Sequence, residues 1–314
     1  MRNNRSLVDQ SLKSPLSELF SLLLIFFGMY FLASVMLIAI STYTPFSTEA
    51  LLMSESLTRA ESLGLMAIQS VFSILIFVVS AIIFFMLKKN ANVQFKSNGS
   101  LLLKLILVFL LLFAATPFIA LLVEWIDSIN FPESFSSLEK NAREFEEKYE
   151  KLANSMILTD SVPMLLVSVV VIALIPAIGE ELFFRGAIQP VLSKIFKNHH
   201  LGIILTGIFF SIIHFSLFGF LPRVLLGCLF GYIYYYSRNL FFPILAHFIN
   251  NGSIVLLSYL HTNNMIELNV QEKTAPSWPI ILVSIILFAF IWQLFYRICK
   301  KTEGVSNYYI GNNN

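Results

Sequence analysis

Long apolar runs separated by short polar stretches set the rhythm of this chain. Eight of them approach the length of about 20 mostly apolar residues that a helix needs to cross the hydrocarbon core of a bilayer. They fall near residues 17–41, 64–87, 101–126, 161–182, 201–219, 222–237, 241–260 and 278–298, the sixth being the shortest. This pattern predicts an all-α fold, a polytopic transmembrane helix bundle of about eight spans. The first run follows Arg2, Arg5 and Lys13, as the apolar part of a signal peptide would. It is longer than the usual stretch of about 7–15 residues and no clear small-residue cleavage site follows, so it is expected to stay as a helix.

The polar connections orient the bundle. Lys88, Lys89 and Lys96 lie between the second and third runs, Lys194 and Lys197 follow the fourth, Arg238 separates the sixth and seventh, and Arg297, Lys300 and Lys301 close the last. Cytoplasmic loops collect Lys and Arg. The expectation is a multi-pass protein of the plasma (inner) membrane with both termini in the cytoplasm. The 127–160 connection then faces outside, where acidic residues outnumber its basic ones. Ser136 and Glu139 read there as a capping box. Leu138, Ala142, Phe145, Tyr149 and Leu152 recur at near-helical spacing, and Glu144 with Lys148 and Glu147 with Lys151 are i,i+4 pairs. A short amphipathic helix is expected, as a solvated spacer, on the membrane surface or as a cap on the bundle. The tail Ser306–Asn314 has the character of a disordered end. Three parts follow: the N-terminal helices and outer loop (1–160), a core (161–260), and a last span with its tail (261–314).

Composition agrees with a lipid-facing surface. Hydrophobic residues make up 57% of the chain and charged residues 13%, against about 25% charged in soluble domains. A net charge of +2 leaves no strongly basic footprint for a nucleic acid. Cys228 and Cys299 lie far apart in or beside apolar runs, without metal-binding spacing, and read as small apolar residues.

Against this background a few polar residues inside the apolar runs stand out. Glu180 and Glu181 end the run Val167–Ile178, and Arg185 follows; Glu181 and Arg185, four apart, share a helix face and can pair. Phe210 and His214 are four apart in the fifth run, with His214 expected well inside the span. His247 and Asn251 are four apart in the seventh, after Pro243 and the Arg238-Asn239 turn. Ionisable groups at membrane depth are costly and usually face a bundle interior, and helix bundles build sites from facing side chains. His199, His200 and His261 are expected as exposed loop histidines.

The chain lacks a Gly-x-Ser-x-Gly elbow and a His-Glu-x-x-His motif, which argues against serine-hydrolase and ordinary zincin chemistry. A buried Glu beside a His can hold and deprotonate a water, and a His and an Asn one turn apart can donate to one developing oxyanion. Glu180, His214 and His247 could instead bind a divalent metal such as zinc with an open position. Composition does not choose between these.

These motifs resemble those of the CPBP family, the CAAX proteases and bacteriocin-processing intramembrane proteases also called the Abi family. Glu180, Glu181 and Arg185 match its Glu-Glu-x-x-x-Arg motif, Phe210 and His214 its Phe-x-x-x-His, and His247 and Asn251 its His-x-x-x-Asn. The resemblance covers roughly residues 160–255. It implies an intramembrane endopeptidase, metallo- or glutamate-type, with its site in a cavity open to the cytoplasm. Glu180 would activate water, His214 would help hold it, His247 and Asn251 would stabilise the oxyanion, and Glu181, Arg185 and Phe210 would support the site. The expected partners are membrane lipid and a peptide or membrane-protein substrate, in peptide processing or bacteriocin self-immunity. The competing readings are a non-enzymatic immunity or scaffold protein, and a proton-coupled transporter using Glu180 and the histidines.

Overall fold

A computed structural model describes residues 14–43, 57–88, 93–95, 98–157 and 159–303. The tail Ser306–Asn314, the basic residues Arg2, Arg5 and Lys13, and Lys89 and Lys96 lie outside the described residues. Among the described residues the regular structure is entirely helical: α1 (Pro15–Tyr43), α2 (Arg59–Leu87), α3 (Leu101–Asp127), α4 (Ser136–Ile157), α5 (Val162–Ile195), α6 (His199–Ile212), α7 (Phe220–Ser237), α8 (Phe241–Thr262) and α9 (Trp278–Glu303). In lipid the backbone must satisfy its own hydrogen bonds, and helices do so within one segment. All eight apolar runs become helices, and α4 is the amphipathic one predicted for the 127–160 connection. The chain is a multi-pass integral membrane protein.

Six helices, α1, α2, α3, α5, α8 and α9, are long and apolar enough to cross a membrane. The other two apolar runs make shorter helices: α7 has 18 residues, close to its expected bounds, while α6 falls short of them. The run at 201–219 stops at Ile212; a 14-residue helix is about 21 Å long, less than the hydrocarbon thickness of about 30 Å. Both α6 and α7 are packed among the longer helices, with Phe210, Phe230, Ile233 and Tyr234 buried. Lipid-facing apolarity instead concentrates on α1 and α9, where Phe20, Phe31, Ile286 and Phe290 are exposed.

Two apolar clusters hold the bundle. One joins α1, α2, α5 and α6 through Leu22, Phe26, Phe84, Phe183, Phe184 and Phe210. The other joins α3, α7, α8 and α9 through Leu107, Leu111, Phe230, Phe242, Ala246 and Phe295. The polar set lies between them.

The fourth run extends beyond its expected end at 182, because α5 continues to Ile195. Glu180 and Glu181 therefore sit in mid-helix. The helix carries its prolines by loosening: Val169–Leu174 and Phe184–Ile188 are π-helical, before Pro176 and Pro190 respectively. A helical proline cannot donate to the carbonyl four residues earlier, and local π-widening is a common accommodation. Pro176 thus leaves the Ile172 carbonyl free for another donor.

The two ends of the bundle are tied differently. At one end Lys88 Nζ meets Glu18 Oε2 at 2.6 Å, the Leu240 N–H donates to the Gln94 carbonyl, and Asn239, in the turn after α7, donates to the Phe95 carbonyl. At the other, Lys273 bridges Asp127 and Glu150, and Ser216 donates to Glu146 of α4. The Glu139 carboxylate is taken by the Phe131 N–H and Arg143, whereas a capping box would turn it back to Ser136. The i,i+4 pairs seen along α4 are Glu139 with Arg143 and Lys140 with Glu144, in place of the pairs expected one and two turns later.

Candidate active site

The central feature is a meeting of three side chains from three helices. Glu180 Oε2 lies 4.0 Å from His214 Nε2 and 4.0 Å from His247 Nε2. That oxygen is buried and has no hydrogen-bond partner among the protein's groups. The three groups are far apart in sequence: α5, the turn just beyond α6 and α8 each contribute one.

Both imidazoles are oriented through their other nitrogen. His214 Nδ1 lies 2.7 Å from the Phe210 carbonyl oxygen. A carbonyl only accepts, so Nδ1 carries the proton and Nε2 turns towards Glu180. His214 is not well inside a span: it stands in the turn just beyond α6. There the backbone tightens, with His214 and Phe215 N–H donating to Ser211 and Ile212. The tightening leaves the Phe210 carbonyl for the imidazole. His247 Nδ1 lies 2.9 Å from Glu181 Oε1, so the same reasoning puts its proton on Nδ1 facing the carboxylate.

Glu181 is shared. Its Oε1 also accepts from Arg185 Nη1 at 2.8 Å, and both residues are fully buried. Arg185 Nη2 in turn donates to the Gly227 carbonyl of α7 at 2.8 Å. One turn further along α5, Gln189 Nε2 donates to the Gly231 carbonyl at 3.1 Å. A row at 181, 185 and 189 thereby fixes α5 against α7 and His247 against α5. Buried charges persist when paired and hydrogen-bonded. Phe210 borders both histidines, with ring centroids 4.8 Å from His214 and 5.9 Å from His247, and Phe230 stacks on His247 at 5.3 Å.

Asn251 lines the same cavity but its amide is partly engaged. Its Nδ2 donates to the Ile172 carbonyl at 3.2 Å, the group that Pro176 leaves free, and its Oδ1 accepts from Asn250. It pins α8 to α5, with one amide hydrogen remaining. His199 and His200 are no loop residues: they open α6, and Tyr235 and Tyr232 lie 2.9 Å from them. They stand apart from the cavity.

The cavity, about 640 Å³, is lined by Glu180, His214, His247 and Asn251 together with residues of α2, α4 and α7. It is approached from the α4 side, where Phe145, Tyr149 and Phe215 are exposed. The sequence missed two features of its wall. Tyr149 comes from α4, whose apolar stripe caps the bundle. Arg223 comes from the first turn of α7, with Nη1 buried and without a hydrogen-bond partner. An arginine opening an apolar run was the available signal.

Tetrahedral zinc with ligand atoms at about 2.0–2.2 Å sets those atoms about 3.4 Å apart, closer than the two 4.0 Å separations here. Among the described residues no three His, Cys, Asp or Glu side chains are grouped so as to hold a metal ion. Glu180, His214 and His247 thus stand somewhat wider apart here than a closed tetrahedral site would hold them.

Comparison with known proteins follows the same segment. Residues 162–253 match the family described as type II CAAX prenyl endopeptidase, Rce1-like. No curated protein and no solved structure matches the chain.

Proposed function

Proceeding from residues 162–253 as a segment of the CAAX-protease (CPBP) family, we propose that the chain is an intramembrane endopeptidase that uses glutamate-activated water. The observation that carries this reading is the approach of both Nε2 atoms to Glu180 Oε2 at 4.0 Å, in a cavity with room for a peptide.

In this mechanism a water donates to Glu180 and to His214 Nε2, which is held as an acceptor by the Phe210 carbonyl. Glu180 takes the water's proton as hydroxide adds to the scissile carbonyl carbon. The carbonyl π electrons move to oxygen. A second proton on His247, at Nε2, would be balanced by Glu181 and would let Nε2 donate to that oxyanion, joined by the remaining amide hydrogen of Asn251. The intermediate collapses, the C–N bond breaks, and Glu180 returns the proton to the leaving amine. Glu181 and Arg185 do not touch the substrate; they set the ring of His247. Phe210 and Phe230 exclude water from its faces.

Peptide processing and bacteriocin self-immunity are both uses that such an activity would serve. The deciding experiment is cleavage of a membrane-peptide substrate by purified protein. Glu180→Gln and His214→Ala are each expected to lower kcat by about 10²–10⁴-fold, with activity of the parent surviving metal chelation. Full activity in both variants would overturn the assignment. Loss of the parent's activity on chelation, restored by zinc, would replace bare water with a metal.

A further inference from the structure

Resting on the protease reading, we propose that Arg223 is a specificity-determining residue: its guanidinium receives a carboxylate of the substrate, away from the bond that is cut. The substrate class is then an apolar peptide that carries an acidic group, on a side chain or at its C-terminus.

Among the described residues that line the cavity, Arg223 is the only Lys or Arg, and an arginine keeps its charge at any ordinary pH. Its Nη1 is buried without a hydrogen-bond partner. The nearby carboxylates are turned elsewhere. Glu180 faces the two imidazoles. Glu146 accepts from Ser216 through Oε1, and its Oε2 has no hydrogen-bond partner. A charge left incompletely bonded beside apolar walls is costly. A guanidinium fork matches a carboxylate through two parallel hydrogen bonds, which an incoming acidic group would supply.

The guanidinium has a prepared seat. Arg223 stands in the first turn of α7 and folds back over the residues before that helix. A Cβ on Gly219 would overlap Arg223 Nη1, and it would meet Ser216 Oγ at 2.6 Å. The bare residue at 219 thus leaves the space that the guanidinium uses. Ser216 is itself fixed, accepting from the Gly219 N–H and donating to Glu146.

Helix geometry separates Arg223 from the reacting groups. Arg223, Leu226 and Phe230 all line the cavity, at the i, i+3, i+7 spacing of one helix face. Phe230 stacks on His247. From 223 to 230 the helix rises about 10 Å, and the arginine folds back away from Phe230. At about 3.3 Å per extended residue, the carboxylate it meets lies two or more residues from the scissile bond. The rest of the lining is largely apolar, with Leu65, Ile68, Leu152 and Ile254 among it, which suits an apolar chain bearing one acidic group.

The test uses four dye-labelled apolar peptides of one sequence. They end in a carboxylate or an amide, and hold Glu or Gln at one internal position that is scanned along the peptide. Binding is read by fluorescence anisotropy with the full chain in detergent, as the Glu180→Gln protein, so that no peptide is cut. At least one acidic form is expected to bind about 10–100 times more tightly than the doubly neutral peptide. Which form is preferred tells a terminal carboxylate from a side-chain one. Adding Arg223→Gln is expected to bring the acidic forms down to the neutral one. Arg223→Lys should keep only part of the preference, since the charge remains without the fork. The inference is overturned if no acidic form binds better than the neutral peptide, or if the preference survives Arg223→Gln. An arginine of merely structural importance would weaken all four peptides alike, which also overturns it. If Arg223→Gln does not fold, the decision passes to Arg223→Lys, where an undiminished preference overturns the inference. Cleavage is scored separately with Glu180 restored, where Arg223→Gln is expected to raise KM for the acidic peptide more than it lowers kcat. Arg223-dependent binding of the acidic form without cleavage of any peptide supports the carboxylate site and removes the protease reading.

Discussion

At the scale of single residues, spacing disclosed which side chains matter but not what each one touches. Glu180, His214 and His247 were legible because ionisable groups at membrane depth are expensive and need a reason. Glu181 was legible as the partner of Arg185, since i and i+4 share a face. Its second partner, His247, is 66 positions away in sequence, and no local periodicity reports that contact. The contact makes Glu181 a positioning residue. Glu181→Gln can rotate to present its amide to Nδ1 and so disturb the orientation of His247. The expected result is a fall in kcat of about 10²-fold or more with KM little changed, as for loss of an oxyanion donor. Equal loss of folded protein and activity would instead show a merely structural role. Asn251 shows the reverse: read as an oxyanion donor, it is also the donor that repairs the backbone at Pro176.

At the scale of elements, the apolar runs gave the helices well and their ends poorly. Apolarity marks an end at 182, where the carboxylates resemble a terminus, yet Glu181 finds its partner on α8, Arg185 and Gln189 find theirs on α7, and the helix goes on. The run at 201–219 outlasts its helix because apolarity continues past Ile212, whereas the helix ends where an imidazole takes over the Phe210 carbonyl. The stripe of α4 reads as amphipathic and is so, but the capping box does not form: Glu139 has better donors in Phe131 N–H and Arg143. Those bonds, the Phe131 N–H first, hold the Glu139 carboxyl below the usual carboxylate range. A depressed carboxylate stabilises the folded form above its unfolded pKa, near 4.5, and the contribution is lost as pH falls through the lower folded value. The expected outcome is that the protection factor of the Phe131 amide holds near neutral pH and falls as pH drops through the lowered Glu139 pKa, below 4.5. In Glu139→Gln that acid step should be absent. An identical acid response in both proteins would show that Glu139 is not the latch.

At the scale of the whole molecule, helix packing sets the site's dimensions. α6 crosses α7 where Gly207 and Gly227 face one another: a Cβ on Gly227 would meet the Gly207 Cα at 2.9 Å. That neighbour is backbone and cannot swing aside. Gly227→Ala is expected to push α7 outward, costing about 1–3 kcal/mol as overpacking does, and to loosen the Arg185 bond to the Gly227 carbonyl. Thermal unfolding in detergent should show the lower midpoint, with cleavage rate falling further than the loss of folded protein explains. An unchanged midpoint would mean that the crossing has slack.

The sequence by itself determined the class of the molecule, its eight apolar helices, the amphipathic helix between the third and fourth, and the residue types available for chemistry. These follow from local quantities: transfer of apolar side chains to lipid, backbone satisfaction within each helix, and spacing along one face. Tertiary structure alone decided that Glu180 meets two histidines, that Glu181 serves both Arg185 and His247, that Arg223 and Tyr149 join the wall, and that the cavity is approached on the side of α4. Each depends on how helices far apart in sequence cross and turn about their axes. Those rotations are set by glycine contacts, freed carbonyls and bonds between helices, which have no one-dimensional signature.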